Sequence, residues 1–455
     1  MKKVGINILL ILLSLSLAGC GTAPASTLTT PQKTPAVKLT PASTAALPTP
    51  LAQIEPLAYT ETPTLLPPTL TSTPAPTLAP TNTPIPTPMF SEAAHLEINC
   101  IPVEDNPENA SFVQGQFLLT REEPFTKAFL DDFQTRQQIL IAPQDGNVFH
   151  DFRVSPNGNW IVYLEDTLNS AREILERRVI LLSADGTIKK SISTKITFGI
   201  SRWLDPDHVV LTTGGQFPTQ IVLNPFDETS KEISYKIDDG YNLIPNGDWQ
   251  GQSFVVYNPG LTQLVYAGLP ADLVLVNLKN QQVAGRISPA PIADSVPKWS
   301  PEGEKFVTAY LDLFNSGPGN LKEELYLVNG NGELSQLTYL AEYYRYSHIL
   351  SYEWSPDGQY IAFWLETDEK TRGKVQLSIL DVLKSMVVNY CVLGTYKQTN
   401  VPPPIFWSPT SQQVAVQSVN PLDSGSQQIV VLDFLKEKAI KITENAALHG
   451  WVFEP

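Results

Sequence analysis

The run Trp354-Ser355-Pro356-Asp357-Gly358-Gln359-Tyr360-Ile361-Ala362-Phe363 packs an aromatic residue, a strand breaker, a tight-turn dipeptide and an apolar strand into one phrase. Proline cannot donate to a β-ladder, so Ser355-Pro356 ends a strand. Asp357-Gly358 supplies a tight hairpin turn. The following run is apolar at consecutive positions, as a strand buried on both faces requires. The phrase recurs as Val154-Ser155-Pro156-Asn157-Gly158 before Trp160-Ile161-Val162-Tyr163, and as Trp299-Ser300-Pro301-Glu302-Gly303 before Phe306-Val307-Thr308-Ala309. Trp407-Ser408-Pro409 precedes Val414-Ala415-Val416, and two degenerate copies are Trp203-Leu204-Asp205-Pro206 and Tyr257-Asn258-Pro259-Gly260. The prolines at 156, 206, 259, 301, 356 and 409 are separated by 50, 53, 42, 55 and 53 residues, the spacing of a four-stranded propeller blade of about 40–50 residues.

A second phrase completes each unit. Val179-Ile180-Leu181-Leu182 runs into Ser183-Ala184-Asp185-Gly186, and Leu325-Tyr326-Leu327-Val328 into Asn329-Gly330-Asn331-Gly332. Gln376 to Asp381 and Ile429 to Asp433 repeat the pattern, each followed by another β-rich run. The two ends of the pattern are complementary. Gly450-Trp451-Val452-Phe453 reads as an opening strand, whereas Gln116 to Thr120, Ala128 to Asp131 and Ile139 to Ile141 read as second, third and fourth strands. The last strand therefore joins the first three in one blade, which removes exposed sheet edges. The expectation is an all-β, seven-bladed β-propeller, with six or eight blades as alternatives.

These residues, Trp354 to Ala362 above all, resemble the TolB-type or PD40 (WD40-like) β-propeller repeat. The resemblance covers most of residues 110–455. It implies the fold and says little of the ligand, because function resides in sites grafted onto a fold.

The chain before the repeats is of another kind. Met1-Lys2-Lys3 is a basic start, and Val4 to Leu17 is an uncharged apolar run, too short for a spanning helix of about 20 residues and suited to a secretory signal. Leu17-Ala18-Gly19-Cys20 resembles the bacterial lipobox. That resemblance implies cleavage before Cys20, acylation of its thiol, and attachment to a bacterial membrane on the extracytoplasmic side, since several acyl chains suffice for stable anchoring. Residues 21–90 hold 16 prolines and 18 threonines but only four charges, Lys33, Lys38, Glu55 and Glu61. Such a stretch buries no core and reads as an extended, polyproline-rich stalk. The expected division is a signal peptide over 1–19, a lipidated Cys20 with a disordered linker over 20–92, and a propeller over 93–455.

The net charge of the 455-residue chain is −15; after residue 90, 27 basic residues face 44 acidic ones. An acidic domain without a basic block argues against a nucleic-acid partner. No Gly-x-Ser-x-Gly elbow, His-Glu-x-x-His or phosphate-binding glycine loop occurs, so the expectation is a non-enzymatic module without cofactor or metal. The five histidines, 95, 150, 208, 348 and 449, are spread over the repeats. Asp205-Pro206-Asp207, Asp131-Asp132 and Ser183 to Thr187 are explained by turn chemistry. Cys100 and Cys391 are a disulfide candidate in an oxidising compartment. Tyr339, Tyr343, Tyr344, Tyr346, His348 and Tyr352 crowd the link between blades five and six and form a candidate binding patch, since loop aromatics anchor peptides and glycans. The loops Thr167 to Leu175 and Leu313 to Lys322 are expected to rim it. The functional expectation is a membrane-anchored protein-binding or scaffold module of the cell envelope. Alternatives are a surface glycan-binding lipoprotein and an enzyme acting on extracellular glycan or peptide at the channel mouth.

Overall fold

The computed structural model describes residues 95–453 except 106–110, 122–126, 136, 142–146, 194–196, 214–219, 234–254, 269–271, 288–295, 312–315, 318–319, 372, 397–401 and 421–425. The signal peptide, Cys20 and the stalk lie outside the described residues. What is described is all-β: seven sheets arranged as blades in a ring, each built from antiparallel neighbours in chain order. Ala447–Val452 opens blade one and pairs with Gln116–Arg121, with Trp451 opposite Phe117. The innermost strands of blades two to seven are Asn147–Val154, Thr197–Trp203, Val255–Tyr257, Lys298–Trp299, His348–Trp354 and Ile405–Trp407.

Seven apolar cores fill the seven gaps between blades. Alternation along the second strand of each blade explains this. In Tyr360–Glu366, Ile361, Phe363 and Leu365 pack against blade five, whereas Ala362 and Trp364 pack against blade seven. Blades seven and one share the core of Phe117, Ala415, Ile429 and Trp451, and blades one and two share that of Leu118, Leu130, Ile161 and Tyr163. The ring is thus closed by packing as well as by the shared sheet.

The repeated phrase is a connected set of hydrogen bonds. The Ser355 N–H donates to the Tyr360 carbonyl, its Oγ accepts the Tyr360 N–H at 2.9 Å, and its hydroxyl donates to Asp357 Oδ1 at 2.6 Å. Gly358 sits at φ +69°, where a side chain would be strained. Ser155 and Ser408 accept the N–H of Trp160 and Gln413 in the same way, and in blade four Asn258 Oδ1 takes the N–H groups of Thr262 and Gln263. The aromatic residue before the serine then links blades. Trp203 Nε1 donates to the Arg153 carbonyl, Trp299 to Val256, Trp354 to Lys298 and Trp407 to Glu353, at 3.0–3.1 Å. Each acceptor is the residue immediately preceding the equivalent position one blade earlier. Gly450 fills that column in blade one because a Cβ there would meet Val154 Cγ2 at 2.1 Å.

Two features differ from the expectation of plain four-stranded blades. Leu96–Ile98 adds a parallel fifth strand to the outside of blade six, and Val103–Glu104 does the same for blade seven. Between them Cys100 is disulfide-bonded to Cys391, which sits at φ +58° beside a bulge in the outer strand of blade six. The expected loop Thr167 to Leu175 is mostly strand: Trp160–Leu168 and Ile174–Ser183 form one long hairpin closed by the turn at 169–173. Of the Leu313 to Lys322 loop, residues 313–315, 318 and 319 lie outside the described set.

Replacing Trp354 by Phe keeps an aromatic ring but strands the Lys298 carbonyl. The expected cost is about 1–3 kcal/mol, read as a lowered midpoint in urea unfolding. An unchanged midpoint would remove the indole relay from the account of stability.

Candidate binding site in the central channel

The residue before each phrase occupies one register on the innermost strands: Arg153, Arg202, Val256, Lys298, Glu353, Phe406 and Gly450. Because strand side chains alternate, the indole faces the gap toward the preceding blade and its predecessor the gap toward the following one: Val256 lies in the core with Trp299, Phe406 packs against the core between blades seven and one, and a Cβ at Gly450 would meet Val154. The charged members reach the innermost strand of the following blade in the same way. Arg153 Nε donates to the Ser201 carbonyl at 3.3 Å and its Nη1 to the Phe152 carbonyl at 2.8 Å. Arg202 Nη2 donates to the Tyr257 carbonyl and Lys298 pairs with Glu353. Burial pushes the Arg202 guanidinium down to about 10, with Glu353 acting against the shift. Lys298 and Glu353 keep side-chain exposures of 38% and 39% although they lie on innermost strands, so solvent reaches this level of the channel.

A second charged line starts on the inner strand of blade two. Arg177 grips Asp166 through Nε and Nη2, both at 2.6 Å, and Asp166 Oδ2 lies 3.1 Å from His150 Nε2. His150 Nδ1 lies 3.8 Å from Asp151, whose own carboxylate accepts the Ile200 N–H. Asp151 and then Asp166 hold the His150 pKa above its usual value against burial. Burial acts to raise the Asp151 and Asp166 carboxyls, but His150 with Arg153, and Arg177 with His150, hold them below their usual range. Asp151 has φ +57°, and the register of the strand shifts between His150 and Arg153. Bulges of this kind re-aim side chains next to functional sites. On blade one, His449 contacts Phe152 and lies 2.8 Å from Thr120 Oγ1; burial, then Arg153, pushes its pKa down to about 4.

The six residues of the aromatic patch do not converge on one surface. Tyr352 is 1% exposed within the core between blades five and six, and Tyr344 packs against the same core. Tyr346 donates to Glu366, and buried His348 lies 3.0 Å from Glu323. Tyr339 stacks on His95, and Tyr343, the exposed member at 43%, accepts the His95 backbone N–H. These two rings hold the start of the parallel strand on blade six. The histidines likewise keep separate partners: His95 with Tyr339, His150 with Asp166, His208 with Asp205, His348 with Glu323 and His449 with Thr120. The channel column escaped the sequence reading because it supplies one residue per repeat. Its signal was available as the position preceding each aromatic-Ser-Pro phrase.

No protein-family model matches the chain, and the comparison with curated proteins finds no match. Solved structures do match. An oligogalacturonate lyase from Vibrio parahaemolyticus shares 13% identity at a TM-score of 0.46, over 73% of this chain and 87% of the lyase. An oligogalacturonate lyase in complex with manganese shares 13% at 0.44, over 72% and 85%. The β-propeller domain of Swd1 from Myceliophteria thermophila shares 10% at 0.40, over 71% and 94%. At these identities the likeness bears on the fold alone. It nonetheless corrects one expectation. The chain was read as non-enzymatic for want of a catalytic motif, yet enzymes are found among proteins with this propeller arrangement, so a missing motif does not decide against catalysis.

His449 gives this site a pH signature. Its folded pKa of about 4 lies below the ordinary 6.5, so the unfolded chain binds the extra proton between those values. The stabilisation is complete above pH 6.5 and is lost as pH falls toward 4, on the order of 3 kcal/mol. His150, with its pKa raised, acts with the opposite sign, losing its contribution as pH rises through its folded pKa. The difference between the wild type and His449→Gln isolates the first term: their unfolding free energies should converge as pH drops from 6.5 to 4, and parallel curves would show that His449 is not held neutral.

Proposed function

We propose that this chain is a lipid-anchored extracytoplasmic protein whose propeller, carried on a Pro/Thr stalk, captures a ligand in its central channel. The observation that carries the reading is the charged column. The repeat does not require charge at that register, since Val256 and Phe406 fill it with apolar side chains packed between blades and Gly450 is held to glycine by Val154. Charge removed from bulk water costs free energy unless it is paired. Three cations on the innermost strands of a strongly acidic domain are therefore a feature of binding rather than of stability. If the ligand is also turned over, His150 is the group best placed to move a proton, being held between two carboxylates.

A protein partner of the envelope is the second reading, and a different surface favours it. Ile174 and Leu175, 52% and 66% exposed, stand at the end of the long blade-two hairpin. Its turn is ordered by Asn169, whose Oδ1 accepts the N–H groups of Ala171 and Glu173 and whose Nδ2 donates to the Glu173 carboxylate.

Two measurements test the proposal. Cys20→Ser should move the chain from the membrane to the soluble fraction; retention in the membrane rejects the lipid anchor. Purified full-length protein should retain members of a glycan array, with retention weakened by Arg202→Gln and unaffected by Ile174→Ser/Leu175→Ser. The reverse pattern would transfer the function to the hairpin and a protein partner.

A further inference from the structure

We infer that the outer edge of blade one, the strand Gln137–Ile141, docks an extended segment of a partner protein, which adds to the sheet as a parallel fifth strand. This inference is independent of the channel reading above.

A comparison of the seven outer strands leads to it. The outermost strand of a sheet presents unpaired N–H and C=O groups, and proteins guard such edges with charge, with shortness or with a cover. Six blades are guarded among the described residues. The outer strand of blade two, Lys189–Ser193, starts with two lysines, and that of blade three, Ser230–Ile233, carries Lys231. That of blade four, Gln282–Ile287, carries Arg286, and a Cβ at its Gly285 would meet the Asn331 carbonyl oxygen of blade five at 2.7 Å. That of blade five, Leu334–Gln336, is three residues long. Blades six and seven are covered by Leu96–Ile98 and Val103–Glu104. Blade one has none of these. Gln137-Gln138-Ile139-Leu140-Ile141 holds no charge, no proline and no glycine, and its first four residues are exposed. Among the described residues it pairs only with Lys127–Asp132 on its inner side.

The rim itself shows what such an edge accepts. On the two blades that precede blade one in the ring, an extended segment adds a parallel strand, and its Leu96 and Val103 pack against the apolar cores there. That segment ends short of the edge in question, since the chain next joins the ring as Gln116–Arg121, the second strand of blade one. Gln137–Ile141 is thus the next position of an interface already used twice. Its two faces are apolar. Ile141 reaches the core between blades one and two, and Ile139, on the same face, would stand 3.4 Å from a Cβ at Gly186, in the blade-two turn that leads to Ile188. Leu140 points the other way. Ile139, Leu140 and Ile188 are 37%, 52% and 53% exposed. An incoming strand draws affinity from main-chain hydrogen bonds and selectivity from alternate side chains, so the segment that fits alternates apolar and polar residues, as Leu96-Glu97-Ile98 does. A second copy of the chain fits less well. Two-fold symmetry pairs a strand with itself antiparallel, whereas both rim additions are parallel, and the domain is strongly acidic.

The probe is a fluorescent synthetic peptide with the sequence of residues 95–104 carrying Cys100→Ser, titrated by anisotropy into full-length protein in detergent. It should bind the wild type and slow amide exchange of residues 137–141. Leu140→Lys places a charge on the edge and should weaken binding about tenfold. The Leu140 side chain is exposed, so this variant should keep the wild-type circular dichroism. Leu383→Lys, at a residue 86% exposed in a turn of blade six, should bind as the wild type does. The same peptide N-methylated at alternate backbone nitrogens should not bind. The inference is overturned if the peptide does not bind, if protection falls outside blade one, if Leu140→Lys has no effect, or if N-methylation leaves affinity unchanged. A concentration-dependent dimer that Leu140→Lys abolishes, without peptide binding, would give the edge to a second copy and overturn the partner assignment.

Discussion

Burial of each second strand on both faces is the constraint on which this structure depends. A strand such as Tyr360–Glu366 has no solvent side, so no blade satisfies its apolar surface alone. Each needs a neighbour on either flank, and the demand ends only when the last blade meets the first. Seven cores for seven gaps is that condition fulfilled. It explains why the strand at Ala447–Val452 is placed with residues more than three hundred positions earlier. The exchange gives blade one an inner strand, buries Trp451 against blade seven and removes two open edges.

Packing alone leaves the relative height of neighbouring blades loosely determined, because apolar surfaces slide. The indole bonds supply directional restraint. Each ties a side chain of one blade to a backbone carbonyl of the blade before it, at the same register, so that neighbouring inner strands align. The parallel strands at Leu96–Ile98 and Val103–Glu104 add a restraint on the outer rim. With Cys100 bonded to Cys391, the chain leading in from the N-terminal side is fastened to blades six and seven before it enters blade one.

Much of this was legible because it is local. Ser-Pro, Asp-Gly and an apolar run act over ten residues, so the phrases mark strand ends, turns and blade period directly. The misreadings involve information that is not local. The tyrosines of 339–352 look alike in sequence, yet Tyr352 falls on the buried phase of an inner strand whereas Tyr343 meets a segment some 250 residues away. Leu96-Glu97-Ile98 is too short and too mixed to announce a strand; it becomes one by pairing with Val387 to Asn389. The Thr167 to Leu175 stretch is the local exception: it looks like a loop because its polar and charged residues hide an antiparallel ladder that continues to the hairpin tip.

The channel column was hidden for a more specific reason. Arg153, Lys298 and Glu353 each perform their structural task through the carbonyl oxygen, which accepts an indole N–H whatever side chain is attached. Val256 does the same as a neutral residue. The side chains at this register turn toward the following blade: Val256 and Phe406 join inter-blade cores, Gly450 makes room for Val154, and Arg153, Arg202 and Lys298 reach the next inner strand through polar contacts. Sequence periodicity marks the positions, because the indole phrase recurs beside them. It carries no trace of what fills them, because each gap is packed by its own pair of blades, apolar in some and charged in others. The charge at Arg153, Arg202, Lys298 and Glu353 is therefore decided gap by gap, and the repeat alone does not announce it.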